Sequence, residues 1–455
     1  MMLTLLLALA TSVVDATPMT LNANCPPSFE RTAANTCQLV TRYDAYDSLQ
    51  NKGVGGTQTA LPKARDGFSP QQIDLGRYLF FDPLLSGNHR QACASCHQPA
   101  QGFADGKALS TGTHGDIGTR SAPGLWNVAF QKKLFWDARA DSLEQQALIP
   151  LFAPHEMANT AEQLLADLAA SREYPALFAQ AFPESSQFEL SQVASALAAF
   201  QSSLISLNSR YDQYAHGYHE ALNEEEIKGM NVFRSFVARC AECHTPPLFT
   251  NQQIAVIGTP EPDGMPFDSG AGNSSDKSKL RGAFKVPSLR NVARTAPYMH
   301  SGRFATLAEA AEFYTKGRGH AVADQKLLLH WHIWEPKLTP EEIGQISKFL
   351  HSLTDESLMP AVPNRLPSGL PLPAELRTPT AELRELRTPT DLNTKTVKLR
   401  TPIDLNTNAE LRTPIDLNTK TKAESRTPID LKSQINTENN SEKITTPSNT
   451  QGTQP

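Results

Sequence analysis

Apolar residues spaced three and four positions apart recur along the chain up to about residue 355, and this spacing predicts amphipathic helices. The clearest helix starts are Ser69-Pro70-Gln71-Gln72 and Thr339-Pro340-Glu341-Glu342, because each combines a capping hydroxyl, a first-turn proline and a residue that closes a capping box. The predicted helices cover residues 69–81, a zone from about 160, residues 191–211, residues 223–239 and a segment from 339. No run with the two-residue period of a strand rivals them. The pattern therefore predicts a mainly α fold with little β structure.

Two of these helices lead into copies of one pentapeptide, Cys93-Ala94-Ser95-Cys96-His97 and Cys240-Ala241-Glu242-Cys243-His244. C-x-x-C-H is the attachment site of a c-type haem, in which both thiols bond to the vinyl groups and the histidine becomes the proximal iron ligand. The pattern predicts two covalently bound haem c groups, with His97 and His244 as iron ligands. A zinc knuckle would need two more ligands near each pair, and none stands at finger-like spacing. A redox dithiol is the other alternative.

Composition limits the remaining classes of function. The 455 residues, 39% of them hydrophobic, allow two or three domains, and at a net charge of -5 no basic block indicates nucleic-acid binding. No apolar run reaches the roughly 20 residues of a membrane span. Residues 1–16 resemble a secretory signal peptide that lacks the usual basic residue at its start. Because haem is attached to such motifs outside the bacterial cytoplasm, we expect export to the periplasm.

Both ends of the chain lie outside the helical pattern. Cys25 and Cys37 fall in an N-terminal extension, residues 17–64, where an oxidising compartment favours a disulfide over two free thiols. In residues 359–455 Arg-Thr-Pro recurs at irregular spacing without aromatic residues. Such a composition cannot bury a useful face, so this stretch is predicted to be a disordered repeat tail. A solenoid would require a regular period.

Several short sequences surround the two pentapeptides. They are Leu75-Gly76-Arg77-Tyr78-Leu79-Phe80-Phe81-Asp82-Pro83, Phe135-Trp136-Asp137-Ala138-Arg139-Ala140, Glu156-Met157, Val286-Pro287-Ser288-Leu289-Arg290-Asn291 and Ala296-Pro297-Tyr298-Met299-His300. Together, and in this order, they resemble the bacterial di-haem cytochrome c peroxidase and MauG family over roughly residues 65–355. The resemblance implies two cytochrome c-like domains packed together. Residues 65–215 would hold the haem that meets hydrogen peroxide, and residues 216–358 the haem that stores and relays electrons.

The resemblance also assigns the surroundings of the first haem. Gln146, Pro150 and Glu156 would form the distal wall of the peroxide pocket, and Glu156 would move the proton during cleavage of the O–O bond. A carboxyl shielded from water suits that role because its pKa is raised. On its own, Glu156 would be taken for a solvated loop carboxylate. Trp136 would lie between the haems as an electron relay, although an ordinary core tryptophan fits the same position.

For the second haem, counting from Pro297 places the family's sixth iron ligand at Tyr314, with Met299 as the competing candidate. Methionine-ligated peroxidases and tyrosine-bearing MauG-like members differ at this position, so Tyr314 indicates the MauG-like subgroup. A tyrosinate stabilises ferric iron, whereas a thioether raises the reduction potential. We therefore expect a lower potential than in methionine-ligated relatives.

Two positions depart from the family pattern. The distal histidine of the first haem has its nearest counterpart in His114, which is one residue out of register, and a lone histidine in a loop is more often a solvated side chain. For a calcium ion between the haems, the carbonyl groups of Thr295 and Pro297 match the family's ligands, but Ser121 stands where asparagine is usual. The resemblance still implies one calcium ion.

Three functions are compatible with these residues. The first is a periplasmic di-haem peroxidase that reduces hydrogen peroxide with electrons from a small cytochrome or cupredoxin. The second is a MauG-like enzyme that uses high-valent haem to oxidise a protein substrate. The third is an electron-transfer cytochrome without catalysis, which would not need the pocket of Gln146, Pro150 and Glu156. A homodimer, which methionine-ligated peroxidases form, is also compatible with the sequence.

Overall fold

Helices dominate the computed structural model, which describes residues 17–45, 60–185, 187–273, 278–316, 320–331 and 335–377. The helices of the first half are α1 Pro70–Phe81, α2 Cys93–Cys96, α3 Leu143–Phe152, α4 Ala161–Ala170, α5 Tyr174–Ala181 and α6 Leu190–Ser202. Those of the second half are α7 Arg210–Ala215, α8 Glu224–Arg234, α9 Cys240–Cys243, α10 Leu307–Thr315 and α11 Pro340–His351. Two antiparallel pairs, β1 Phe29–Arg31 with β2 Cys37–Leu39 and β3 Ile254–Val256 with β4 Ala283–Lys285, are the sheets of the described residues. The mainly α prediction is confirmed.

The core of the first half forms where α1 crosses α6. Ser69 caps α1 by accepting a hydrogen bond from the backbone N–H of Gln72, whose side chain accepts one from Ser69 in return. At the crossing, a Cβ on Gly76 would lie 1.8 Å from the carbonyl oxygen of Ala196. Only glycine allows the two backbones to approach so closely. Phe80, Phe81 and Phe200 pack around this contact.

The second half has the same kind of close helix crossing, between α8 and α11. A Cβ on Gly229 would lie 1.9 Å from the carbonyl oxygen of Gln345, so these two helices also meet at a glycine. Phe233, Phe249 and Phe349 fill the surrounding core. In each half, the helix that precedes a C-x-x-C-H motif is thereby locked to the last long helix of that half.

The helix predicted over residues 191–211 is two helices in the structure. The side chain of Asn127 donates to the carbonyl of Ser206 at 2.8 Å and accepts from its N–H at 2.9 Å, which satisfies that backbone outside a helix. The chain turns back into a helix at Ser209, which caps α7. Tyr211 of α7 belongs to the core of the second half, so the change of core falls before the predicted domain boundary at residue 215.

The N-terminal extension is tied to both halves. Cys25 and Cys37 form a disulfide, and the N–H of Cys37 donates to the carbonyl of Phe68 at 2.8 Å, next to α1. Farther along, the fully buried hydroxyl of Tyr43 donates to Asp212 of α7. The extension therefore contacts the element before the first haem motif and the core around the second.

Residues beyond α11 return to the first half. Leu366 is only 3% exposed and belongs to the core of the first half, and the Ser368 hydroxyl donates to the buried carboxylate of Asp82 at 2.7 Å. Ordered packing thus continues to residue 377, past the predicted tail boundary at 359. The predicted signal peptide and the Arg-Thr-Pro repeats lie outside the described residues.

Candidate active site

A single cavity of about 660 Å³ is lined by residues of both C-x-x-C-H motifs. It is also lined by most of the other site residues predicted from the sequence. These are Ser121, Trp136, Gln146, Pro150, Glu156, Thr295, Pro297, Met299 and Tyr314. His114 is absent from this wall and lies exposed in its loop. The structure thus brings together every predicted site residue except His114.

The first motif is arranged to offer one imidazole nitrogen to the cavity. The short helix α2 places Cys93 and Cys96 three residues apart on one face, and His97 follows at its end. The Nδ1–H of His97 donates to the carbonyl of Phe103 at 2.8 Å, which leaves Nε2 as an acceptor. Burial lowers the pKa of His97, and this favours the neutral ring that binds a metal. This arrangement fits a proximal haem ligand.

The second motif has the same arrangement on α9. The Nδ1–H of His244 lies 3.1 Å from the carbonyl of Phe249 and 3.2 Å from that of Pro287, so its Nε2 is also left free to bind iron. Burial lowers the pKa of His244 as well. The helix that leads to this motif ends at Arg234, earlier than predicted, and Arg239 takes a left-handed turn with φ of 55° directly before α9.

None of the four motif cysteines forms a disulfide. Burial raises the pKa of Cys93 and of Cys240 to about 12, whereas a redox dithiol depends on a lowered thiol pKa. Across the described ranges, no group of three or more His, Cys, Asp or Glu side chains is placed to hold a metal ion, so neither pair has the further ligands of a zinc site. Buried thiols beside a cavity and a free histidine nitrogen fit haem attachment.

One wall of the cavity is built by α3 and the turn after it. Gln146 and Pro150 stand four residues apart on α3, and Glu156 follows the end of the helix. The carbonyl of Glu156 accepts from the N–H of Thr113 at 2.7 Å, and a Cβ on Gly112 would lie 2.0 Å from the carbonyl of His155, so the glycine-rich loop lies tightly against this turn. The loop therefore shields the turn that carries Glu156.

The electrostatics of Glu156 follow from that shielding. Burial raises the pKa of Glu156, and the nearby charges of His155 and Arg139 offset part of the rise. Both of these residues line the cavity, and sequence reasoning missed them. Their positions in the sequence give the signal that was available, since His155 precedes Glu156 and Arg139 lies in the Trp136 segment.

Trp136 is held from two sides. Its indole N–H donates to the carbonyl of Ser121 at 2.9 Å, and its own carbonyl accepts from the N–H of Lys285 at 2.7 Å. The next residue, Asp137, accepts from Arg120 and Arg139, each at 2.8 Å. These bonds hold the indole at the cavity wall between segments from both halves of the chain.

Tyr314 and Met299 both line the cavity, but their neighbours differ. Burial raises the pKa of Tyr314 well above its ordinary value, and the thiols of Cys240 and Cys243 raise it further, which places the phenol beside the second motif. Met299 lies in a turn with φ of 71°, and its carbonyl accepts from the Ser121 hydroxyl at 3.1 Å.

Comparisons with known proteins agree on one family. The sequence model described as di-haem cytochrome c peroxidase matches residues 70–220. The methylamine utilization protein MauG of Methylorubrum extorquens is 33% identical over 297 residues, which are 65% of this chain and 81% of that protein. The chain belongs to the di-haem cytochrome c peroxidase and MauG family. As a member, it is an oxidoreductase of the peroxidase type with two haem c groups.

Other relatives of this di-haem peroxidase lie on both branches of the family. The cytochrome c551 peroxidase of Nitrosomonas europaea is 32% identical over 297 residues, which are 63% of this chain and 82% of that protein. A solved MauG-like protein associated with microbial copper homeostasis is 31% identical with a TM-score of 0.61, over 67% of this chain and 97% of that one. No helix in the described part of this family member has the length and apolar character of a membrane span.

Proposed function

We propose that this protein is a periplasmic di-haem peroxidase that reduces hydrogen peroxide to water with electrons from a small cytochrome or cupredoxin. The observation that carries the proposal is the asymmetry of the shared cavity. A shielded carboxyl, Glu156, is part of the cavity wall in the first half, whereas a phenol, Tyr314, lies beside the second motif. An electron carrier needs two haems but no carboxyl of raised pKa at the cavity.

Glu156 is the proton-transfer group in this proposal. Reduction of one peroxide molecule takes two electrons and two protons, breaks the O–O bond and releases two water molecules. The bound haems supply the electron-accepting and electron-donating centres. The Glu156 carboxylate takes a proton from the near oxygen and returns it to the leaving oxygen. The amide of Gln146 orients the peroxide by hydrogen bonding, and the ring of Pro150 excludes water from that wall.

Trp136 is proposed as the relay between the two halves. Its indole lies at the cavity wall and donates to the carbonyl of Ser121, and its backbone carbonyl accepts from the N–H of Lys285. A fixed aromatic ring between two redox centres shortens each electron-transfer step. An ordinary packing role would need the same rigidity. Rapid-kinetic measurements of a Trp136→Phe variant separate the two roles. Electron transfer between the haems should slow in this variant, while both haems remain attached.

Tyr314 is proposed as the sixth ligand of the second haem, and its replacement is expected to change one haem spectrum. In Tyr314→Phe the phenol oxygen is lost, so the ferric absorption and electron paramagnetic resonance signals of one haem should shift, and its midpoint potential should rise because an anionic donor has been removed. Met299→Leu is the control and should leave the spectrum unchanged. A Tyr314→Phe spectrum identical to that of the wild type, or a changed Met299→Leu spectrum, would reject the assignment.

One calcium ion per chain is part of the proposal. Ser121, Thr295 and Pro297 line the same cavity, and oxygen atoms are the ligands that calcium prefers. Metal analysis after dialysis should find one calcium per two haems, and its removal by a chelator should alter electron transfer between the haems. If the protein bound no calcium at a millimolar concentration of the ion, the calcium site would be rejected.

A MauG-like reaction on a protein substrate is the second candidate, and the position of Tyr314 beside the second motif favours it. Mixing the protein with hydrogen peroxide and a reduced small c-type cytochrome separates the candidates. Continuous oxidation of the cytochrome supports the peroxidase. A peroxide-dependent spectral change without cytochrome turnover supports the MauG-like enzyme, and no response at all supports a plain electron carrier.

A further inference from the structure

Lys285, the last residue of β4, places a cation in the wall of the haem cavity. Its half-buried side chain lies along this wall, and its ammonium group donates to the side-chain carbonyl of Gln131, which lines the cavity as well. Its backbone N–H donates to Trp136, and two residues later Pro287 offers its carbonyl to His244. Lys285 is therefore positioned between the Trp136 segment and the second haem motif.

The arginines along this cavity show how the protein usually compensates a cation at its wall. Each of the four that line the wall has a carboxylate partner at 2.5–2.8 Å. The pairs are Arg120 with Asp137, Arg139 with Asp137, Arg239 with Glu242 and Arg290 with Asp212. Within the described residues Lys285 has only the neutral amide of Gln131, and no carboxylate contributes to its electrostatics. No carboxylate in the described part of the chain therefore compensates this cation.

An uncompensated ammonium inside a protein is costly. Burial alone lowers the pKa of Lys285 to about 8, so the ammonium form is less favourable than on an exposed lysine but still predominates at neutral pH. A carboxylate brought by a ligand into the cavity would remove this cost by forming a charge-assisted hydrogen bond. Haem carries two propionate side chains, and their carboxylates are its acidic groups.

We infer that Lys285 is the counter-charge for a propionate of one of the two haems, and that Gln131 orients its ammonium group toward that carboxylate. The inference depends on the two-haem content of the family and not on the peroxidase reaction proposed above. Lys285 is thus a positioning residue that contacts the cofactor edge and sets the electrostatic potential at one haem.

Potentiometric titration of the full-length protein with both haems attached tests this role. Lys285→Met should shift the midpoint potential of one haem downward and leave the other unchanged, because loss of a nearby cation disfavours the reduced state. Lys285→Arg keeps the charge and should restore the wild-type value of the shifted haem. Lys132→Met removes an equal charge from an exposed side chain in the neighbouring segment and should change neither potential.

The outcomes decide the inference without any measurement of turnover. Two unchanged potentials in Lys285→Met, or an equal shift in Lys132→Met, would overturn it. Haem content is measured first from the pyridine complex of each variant. If Lys285→Met were isolated with fewer than two haems, Lys285→Gln, which keeps a polar head group without the charge, would take its place under the same criteria.

Discussion

Replacing Glu156 with glutamine is expected to slow the reaction of the ferric protein with hydrogen peroxide by about 10²- to 10⁴-fold, the usual contribution of a positioned general acid–base group. Glutamine keeps the size and polarity of the side chain but cannot accept and return the proton. Both haems should remain attached, because Glu156 is not part of either C-x-x-C-H motif. Rapid mixing with peroxide and a haem assay on the same sample measure the two properties together.

The pH dependence gives a second signature of Glu156. Burial raises the folded-state pKa of this carboxyl above the ordinary value of about 4.3. The carboxylate base is present above that raised pKa and is lost as the pH falls through it, so the wild-type rate should fall on the acid side at a higher pH than an exposed glutamate would cause. This limb should be absent from Glu156→Gln. Glu162→Gln, an exposed glutamate on α4, is the matched control. A rate for Glu156→Gln within threefold of the wild type would reject its role.

Removing Arg290 is expected to lower the free energy of unfolding by about 3–5 kcal/mol, because Arg290→Met leaves a buried carboxylate without its positively charged partner. The Arg290 and Asp212 side chains are 0% and 1% exposed and share hydrogen bonds of 2.5 and 2.7 Å. Burial alone would raise the pKa of Asp212, but Arg290 and the hydrogen bonds from Ser209 and Tyr43 hold it below its ordinary value. The midpoint of urea-induced unfolding measures the loss.

A surface ion pair of the same type provides the control for Arg290. Arg294 pairs with Glu356 at 2.9 Å, but these side chains are 48% and 39% exposed, so Arg294→Met should cost only about 0–1 kcal/mol. If Arg290→Met does not accumulate as folded protein, Tyr43→Phe removes one hydrogen bond from the same cluster and should still lower the unfolding midpoint. Equal midpoints for Arg290→Met and Arg294→Met would show that the buried cluster contributes little.

Much of the scaffold follows from local signals in the sequence. Ser69 and Thr339 start helices where their capping boxes predict them, and the two C-x-x-C-H motifs fall at the ends of segments that begin with helices. Gly76 and Gly229 each stand near the middle of the helix that precedes a motif, and in hindsight this repetition marks the two close helix crossings. A glycine inside a helix normally lowers the helix propensity, and here the close approach explains its presence.

Other features could not be predicted because they depend on partners distant in the chain. Asn127 interrupts the apolar stripe of residues 191–211 by binding Ser206, a contact between residues far apart in sequence. Leu366 and Ser368 sit in a segment whose composition resembles the repeat tail, yet Asp82 and the core of the first half hold them. Periodicity and composition contain no information about such contacts.

The candidate site divides in the same way. The haem-binding residues can be read from the pentapeptides, whereas Glu156 and Tyr314 were predicted only through the family resemblance. Lys285 was missed because a single lysine in a sequence carries no sign of what it faces, and Arg139, although it lies in the Trp136 segment, was assigned no role. The structure shows that both side chains line the cavity. Arg139 has a carboxylate partner there, whereas Lys285 has none among the described residues.

The most direct test of the central claim is rapid mixing of the ferric, full-length protein with hydrogen peroxide while the spectra of both haems are recorded. The account predicts a prompt, peroxide-dependent change, strongly suppressed in Glu156→Gln, followed by return to the starting spectrum as an added reduced cytochrome is oxidised. Unchanged spectra with both haems attached, together with no oxidation of the cytochrome, would contradict the account. The protein would then be interpreted as an electron carrier without catalysis.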